Sequence, residues 1–229
     1  MNPLLLIQTV ADETEVIAEV AQNEMNYFEM AKAGGLIMIP LVVLSVVAVY
    51  IFIERYFAIK KASSEDLSFM NKIKEYIHEG KIDSAYSLCQ HVDNPVSRMI
   101  EKGISRIGRP LQDVNTAIEN VGNLEISRLE KGLPTLATVA GGAPMIGFLG
   151  TVIGMIKAFF DMANAGNNIN VSLLSSGIYT AMVTTVTGLV VGIIAYFAYN
   201  FLVARVEKVV FKLEARTMEF MDLLNEPAS

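Results

Sequence analysis

Hydrophobic positions along this chain fall into two patterns, long uncharged runs and short stripes at helical spacing. Three runs could cross a bilayer, whose hydrocarbon core of roughly 30 Å takes about 20 helical residues. Residues 33–53, which include GGLIMIPLVVLSVVAVYIFI, carry no charge. Residues 132–156 read GLPTLATVAGGAPMIGFLGTVIGMI, again without a charge. The uncharged interval between Asp161 and Arg205 is too long for one helix, and its opening NAGNNINVS is turn and cap chemistry. The third span therefore runs from about 173 to 203. A soluble core can hold one such helix; three point to a membrane.

The stripes predict helices between and after the spans. Ser64 is placed to cap a helix with the stripe Leu67, Met70, Ile73 and Ile77, ending at Gly80. Asn94-Pro95 supplies a cap and a first-turn proline for a second helix, stopped by Gly108 or Pro110. From 111 to 133 the chain is helix-compatible, with Val114, Ile118, Val121, Leu124 and Leu129 at helical steps. That helix is expected to lead straight into span two, with Pro134 as bend or boundary. After span three, Val206, Val209, Val210, Leu213 and Met218 carry a helix to about 224. Strand signals are weak throughout.

Basic residues orient the spans. Arg55, Lys60 and Lys61 follow span one, Arg128 and Lys131 precede span two, and Arg205, Lys208, Lys212 and Arg216 follow span three. The 163–172 connection has no Lys or Arg. The positive-inside rule then predicts an outer N-terminal segment over 1–33 and spans at 34–57, 134–160 and 173–203. It places 58–133 and 204–229 in the cytoplasm and 161–172 outside. The expected fold is all-α, with three transmembrane helices, long helical extensions and a cytoplasmic helical domain. The opening MNPLLLIQTV lacks a basic region and its apolar run is short, so an uncleaved segment is expected. A short amphipathic helix on Val16, Ile17, Val20 and Ala21 would suit it.

Composition sharpens this picture. Of the 229 residues, 52% are hydrophobic and 18% charged, fewer charges than the roughly 25% of soluble domains. The net charge of −6 argues against nucleic-acid binding. One cysteine, Cys89, and two histidines leave no material for a disulfide framework or a multi-cysteine metal site. No metal or cofactor is expected, and no P-loop, HExxH or GxSxG motif points to an enzyme. Cys89 reads as a small buried hydrophobe.

The spans themselves differ. Ala143, Gly147, Gly150, Thr151, Gly154 and Ala158 fall at three- and four-residue steps in span two, as do Gly177, Ala181, Thr185, Gly188, Gly192 and Ala195 in span three. Such faces let backbones approach closely in lipid, where hydrophobicity gives helices no reason to associate. Packing of the two spans together is the simplest use of the glycines. Thr180, Thr184 and Thr187 form a hydroxyl ridge beside Thr185, suited to a hydrated path or to a polar group on a partner helix. Spans one and three have no ionisable residue inside the apolar core, and span two has only Lys157 near its outer end, one turn from Asp161. A proton relay through such spans needs a carboxylate from another chain. Glu54-Arg55 and Arg205 read as membrane-boundary charges, the latter beside Asn200.

APMIGFLGTVIGM (residues 143–155) and GIYTAMVTTVTGLVVG (residues 177–192), together with the three-span layout, resemble the ExbB/TolQ/MotA proton-channel family, nearest its ExbB and TolQ branches. The resemblance implies an inner-membrane motor subunit, a homopentamer around a dimer of an ExbD/TolR-like single-span protein. In the ExbB branch, ion flow down the proton-motive force does work through a TonB-like protein on outer-membrane transporters. By resemblance, Thr151 and Thr185 face the pore and the partner's membrane aspartate, and Ala143-Pro144 matches the motif before the glycines. The resemblance also shows a departure: a glutamate often found three residues after the opening glycine of the third-span motif is here Thr180. The titrating group then belongs to the partner, and the coupling ion is H⁺ or Na⁺. The leading expectation is an ion path lined by Thr151, Thr180, Thr184 and Thr185. The alternatives are a TolQ-like envelope role and a membrane scaffold that only oligomerises.

Overall fold

The structure, a computed structural model, describes residues 34–64, 67–164 and 171–225. The expected N-terminal amphipathic helix lies outside the described residues. Among them, every regular element is helical. A 3₁₀ turn, Gly35–Ile37, leads into α1 (Met38–Ser63), followed by α2 (Leu67–His78), α3 (Ile82–His91) and α4 (Pro95–Ile104). Then come α5 (Leu111–Glu130), α6 (Leu133–Asn164) and α7 (Val171–Asn225). Three helical stretches are long and apolar enough to span a membrane, at Gly35–Ser63, Leu111–Asn164 and Leu174–Asn225. The chain is a multi-pass membrane protein with an all-α fold.

The described residues form two compact units. The first holds 34–41 and 145–188; the second holds 42–144 and 189–225. In the second, short helices pack on the charged ends of the long ones around Phe69, Ile73, Ile100, Ile118, Leu136, Leu202, Val209 and Phe220, all almost wholly buried. Stripe residues Met70, Ile73, Val114, Ile118, Leu129, Val206, Val209 and Leu213 are buried as their spacing requires, whereas Leu124 and Met218 are each 62% exposed. Gly80 stands just beyond α2 at φ +70°, the left-handed conformation glycine adopts without steric penalty.

Sequence chemistry fixes the start of α4, which ends at Ile104, ahead of the expected stop at Gly108 or Pro110. Asn94 accepts a hydrogen bond from the Ser97 backbone N–H at 2.7 Å, Ser97 Oγ accepts from the Asn94 N–H at 3.4 Å, and Pro95 occupies the first turn. The helix buries Val96, Met99, Ile100 and Ile104 on one face. Gly103 sits where that face meets α5 and α7. A Cβ there would lie 2.6 Å from the Phe220 ring and 2.8 Å from Ile118 Cδ1.

One boundary differs from expectation. The break between α5 and α6 falls at Lys131–Gly132, not at Pro134: Lys131 is extended and Gly132 takes φ +84°. Pro134 sits in the first turn of α6, where a missing N–H costs nothing. The end of α5 is held from outside, since Arg55 Nη1 donates to the Arg128 carbonyl at 3.0 Å and satisfies one carbonyl that the terminus leaves open.

Candidate functional site

In the first unit, α6 and α7 run antiparallel with their small residues facing. A Cβ added to Gly147 would lie 2.8 Å from the Thr184 carbonyl oxygen and 3.1 Å from Gly188 Cα. At Gly154 it would lie 2.9 Å from Ala181 Cβ, and at Gly177 it would be 3.2 Å from Ala158 Cα. At Gly150 it would collide with the Thr184 side chain. Backbone cannot move aside as a side chain can, so Gly147 is the least replaceable of these. The second unit carries the same kind of contact, with Gly192 seated on the Pro144 ring and on the Ala140 carbonyl, 3.0 Å from an added Cβ. Because proline has no N–H, it cannot bond the Ala140 carbonyl as a helical residue would. Ala143 is buried nearby in sequence.

Close backbones bring the hydroxyls together. Thr185 Oγ1 donates to the Gly147 carbonyl at 3.1 Å, and Thr151 Oγ1 is hydrogen-bonded to Thr185 Oγ1. Thr151 Oγ1 is also 3.2 Å from the Ala181 carbonyl. Thr184 Oγ1 donates to that carbonyl at 2.7 Å and is 3.4 Å from Gly147 O. Three hydroxyls from two helices thus share two carbonyl oxygens. Thr151 and Thr185 are half-buried, while Thr184 is buried at 1% exposure against Gly150. Thr187 bonds back to its own helix at Val183 O, 2.9 Å. Thr180 is half-buried, and its hydroxyl makes no hydrogen bond among the described residues.

The expected boundary residues divide. Arg55 is 8% exposed and reaches the Arg128 carbonyl inside the second unit, while its partner Glu54 stays exposed at the surface. Lys157 and Asp161 are both exposed. Asn200 Nδ2 donates to the Tyr196 carbonyl at 2.8 Å, and the Arg205 guanidinium lies 5.0 Å from the centre of the Phe201 ring.

The charge chain that begins at Arg55 was not legible from the sequence. Arg128 bonds Glu125 at 2.5 Å; the other Glu125 oxygen is 2.6 Å from Arg98, which reaches Asp93 at 2.6 Å, and Asp93 meets Lys61 at 2.7 Å. The chain starts and ends on α1. Glu125 is 4% exposed and falls in step with the buried stripe Val114, Ile118, Leu129, the one signal that could have revealed it. The hydrogen bond from Lys61, with the Lys61 and Arg98 charges, holds Asp93 below the usual carboxylate range. Glu125 raises the Arg98 guanidinium against its own burial. Burial, with a contribution from Glu101, pushes the Cys89 thiol up to about 12, so it is protonated and inert at neutral pH.

Comparison with known proteins agrees with this architecture. A model of the MotA/TolQ/ExbB proton channel family matches residues 91–215. An ExbB homologue from Methanothermobacter thermautotrophicus is 29% identical over 195 residues, 83% of this chain and 69% of that protein. The Tol-Pal system protein TolQ of Haemophilus influenzae is 29% identical over 211 residues, 81% of this chain and 88% of its own. Over a shorter stretch of 112 residues, 48% of this chain and 74% of the relative, the biopolymer transport protein ExbB of Aquifex aeolicus is 37% identical.

Proposed function

Because the chain belongs to the MotA/TolQ/ExbB proton channel family, we propose that it is an ExbB-like motor subunit of a cytoplasmic membrane. In this reading its copies form a pentamer around two copies of an ExbD/TolR-like single-span partner. The proton-motive force then drives work on a TonB-like protein. The N-terminus lies outside and the charged helical ends lie in the cytoplasm, as the basic residues favour.

The observation that carries the reading is the shared hydroxyl cluster of Thr151 and Thr185 at the α6–α7 contact, in an apolar stretch that holds no carboxylate. A carboxylate on a partner helix needs polar neighbours at that depth, and a hydroxyl can donate to it when ionised and accept from it when protonated. Thr185 gives its proton to a carbonyl that the α6 helix itself can satisfy, so turning it outward costs little. Thr180, whose hydroxyl is unengaged in the described chain, extends the polar path. Thr184 serves it from behind, as the buried hydroxyl that seats Gly150.

The experiment is proton flux into proteoliposomes holding the chain with a single-span partner that carries a membrane aspartate. Thr151→Val and Thr185→Val keep the shape and remove the hydroxyl; flux should fall at least tenfold while native mass spectrometry still finds the assembled ring. Undiminished flux in both variants would remove the site, and a chain that neither forms a ring nor takes up the partner would favour a scaffold. Repeating the measurement with a Na⁺ gradient decides the ion. A TolQ-like role is the second reading, favoured by the near full-length match to TolQ. Rescue of outer-membrane uptake or of envelope integrity in deletion strains separates the two.

A further inference from the structure

The charged ends of α1 and α7 lie side by side and point the same way. Phe52 and Tyr56 of α1 each meet the Phe201 ring of α7 with centroids 6.3 Å apart. Further along both helices, Lys212 Nζ donates to the Ser63 carbonyl at 3.1 Å. Between these two fixed points is a cleft of about 50 Å³ with Ile59 and Leu202 as its buried floor and Lys60, Arg205 and Lys208 around it. No acidic side chain lines it, and none of the three cations has a carboxylate partner among the described residues. Neighbouring charges are engaged elsewhere: Lys61 with Asp93, Glu54 with Arg55. Glu207 lines a different groove, with Glu130 and Phe211.

Three like charges gathered at an apolar floor repel one another, and an anion between them reverses the sign of the interaction. The depth of the cleft identifies the anion. Tyrosine rings at the end of a span mark the bilayer interface, and here half-buried Tyr56 lines the cleft while half-buried Tyr199 precedes Arg205 on α7. Cations one turn beyond such rings stand at phosphate level, with their methylene stems along the apolar surface. We infer that this cleft binds the phosphate of an anionic phospholipid, held by Lys60, Arg205 and Lys208, with its acyl chains along those aromatic rings. The inference needs α1 and α7 to cross the membrane; it does not need ion conduction or a partner.

The test is native mass spectrometry of the full chain alone in detergent, titrated with phosphatidylglycerol, phosphatidylcholine or inorganic phosphate. Phosphatidylglycerol should remain bound at detergent levels that strip phosphatidylcholine. Lys60→Gln/Arg205→Gln/Lys208→Gln should weaken it roughly a hundredfold. Lys102→Gln/Arg106→Gln/Arg109→Gln, which removes three cations from another part of the chain, should leave it unchanged. Should the first triple variant fail to fold, Lys208→Gln alone should still show a several-fold loss, and Lys60→Arg/Arg205→Lys full retention. Equal retention of the two lipids, or no change in the cleft variants, overturns the inference. Displacement of the lipid by millimolar inorganic phosphate also overturns it, making the cleft a site for free anions.

Discussion

The 145–188 stretch and the bundle built on α2–α5 solve the same problem, holding helices together, with opposite materials. In the first, glycines and alanines bring α6 and α7 so close that an added Cβ at Gly147 would meet backbone at 2.8 Å. In the second, Phe69, Ile118 and Phe220 fill the space between helices and a chain of ion pairs runs past them. The two materials are those that lipid and water favour. Water drives large apolar side chains inward and tolerates charges at the edge; lipid does neither, leaving close contact and hydroxyl–carbonyl bonds as the attraction.

Substitutions should therefore hurt for opposite reasons in the two regions. The largest effect is expected from Gly147→Leu, whose side chain has no space short of parting α6 from α7. No folded, assembled protein should be recovered by size-exclusion chromatography, whereas Gly141→Ala, which meets nothing within 4 Å, should behave as wild type. Recovery of normal Gly147→Leu protein would break the contrast. Phe220→Ala should cost about 3–5 kcal/mol by the cavity it leaves, seen as a lowered denaturation midpoint. Its effect should appear in helicity of the charged helices.

Glu125→Ala should come next, at about 1–2 kcal/mol, because it removes the carboxylate that Arg98 and Arg128 share while Arg128 keeps its water and Arg98 keeps Asp93. Asn94→Ala removes the α4 cap and should cost about 1 kcal/mol in the same melts. The smallest effect concerns Cys89. Its folded pKa is raised from 9.0 to about 12, so folding favours the protonated thiol. That contribution is complete below pH 9 and is lost as pH rises towards 12. At pH 8 iodoacetamide should modify Cys89 only after unfolding, and rapid labelling of the folded protein would show the bundle to be looser than described.

Much of this was legible in the chain. The spans follow from missing charges, the α4 start from Asn94-Pro95, and the small-residue faces from steps of three and four. Chain order hid the rest. Pro134 looks like the boundary before span two, yet proline is harmless in a first turn, and the break needs the left-handed φ that Gly132 supplies. Arg55 reads from residue order only as the neighbour of Glu54, because nothing near it in sequence hints at the Arg128 carbonyl, 73 residues on. Four threonines within eight residues look alike, but a helix turns about 100° per residue, so neighbours face different partners. Thr184 packs under Gly150, Thr185 joins Thr151, Thr187 folds back on its own helix and Thr180 engages none of them.

Periodicity and charge are local properties of the chain, so residue order alone gave the three apolar spans and most of the helices around them. Packing in three dimensions set which hydroxyls share a carbonyl, which arginine closes the end of α5 and which three cations gather at one cleft. Those are meetings between residues tens to more than a hundred positions apart, set by how closely the glycines allow the backbones to approach and by how the large side chains fill the space that remains.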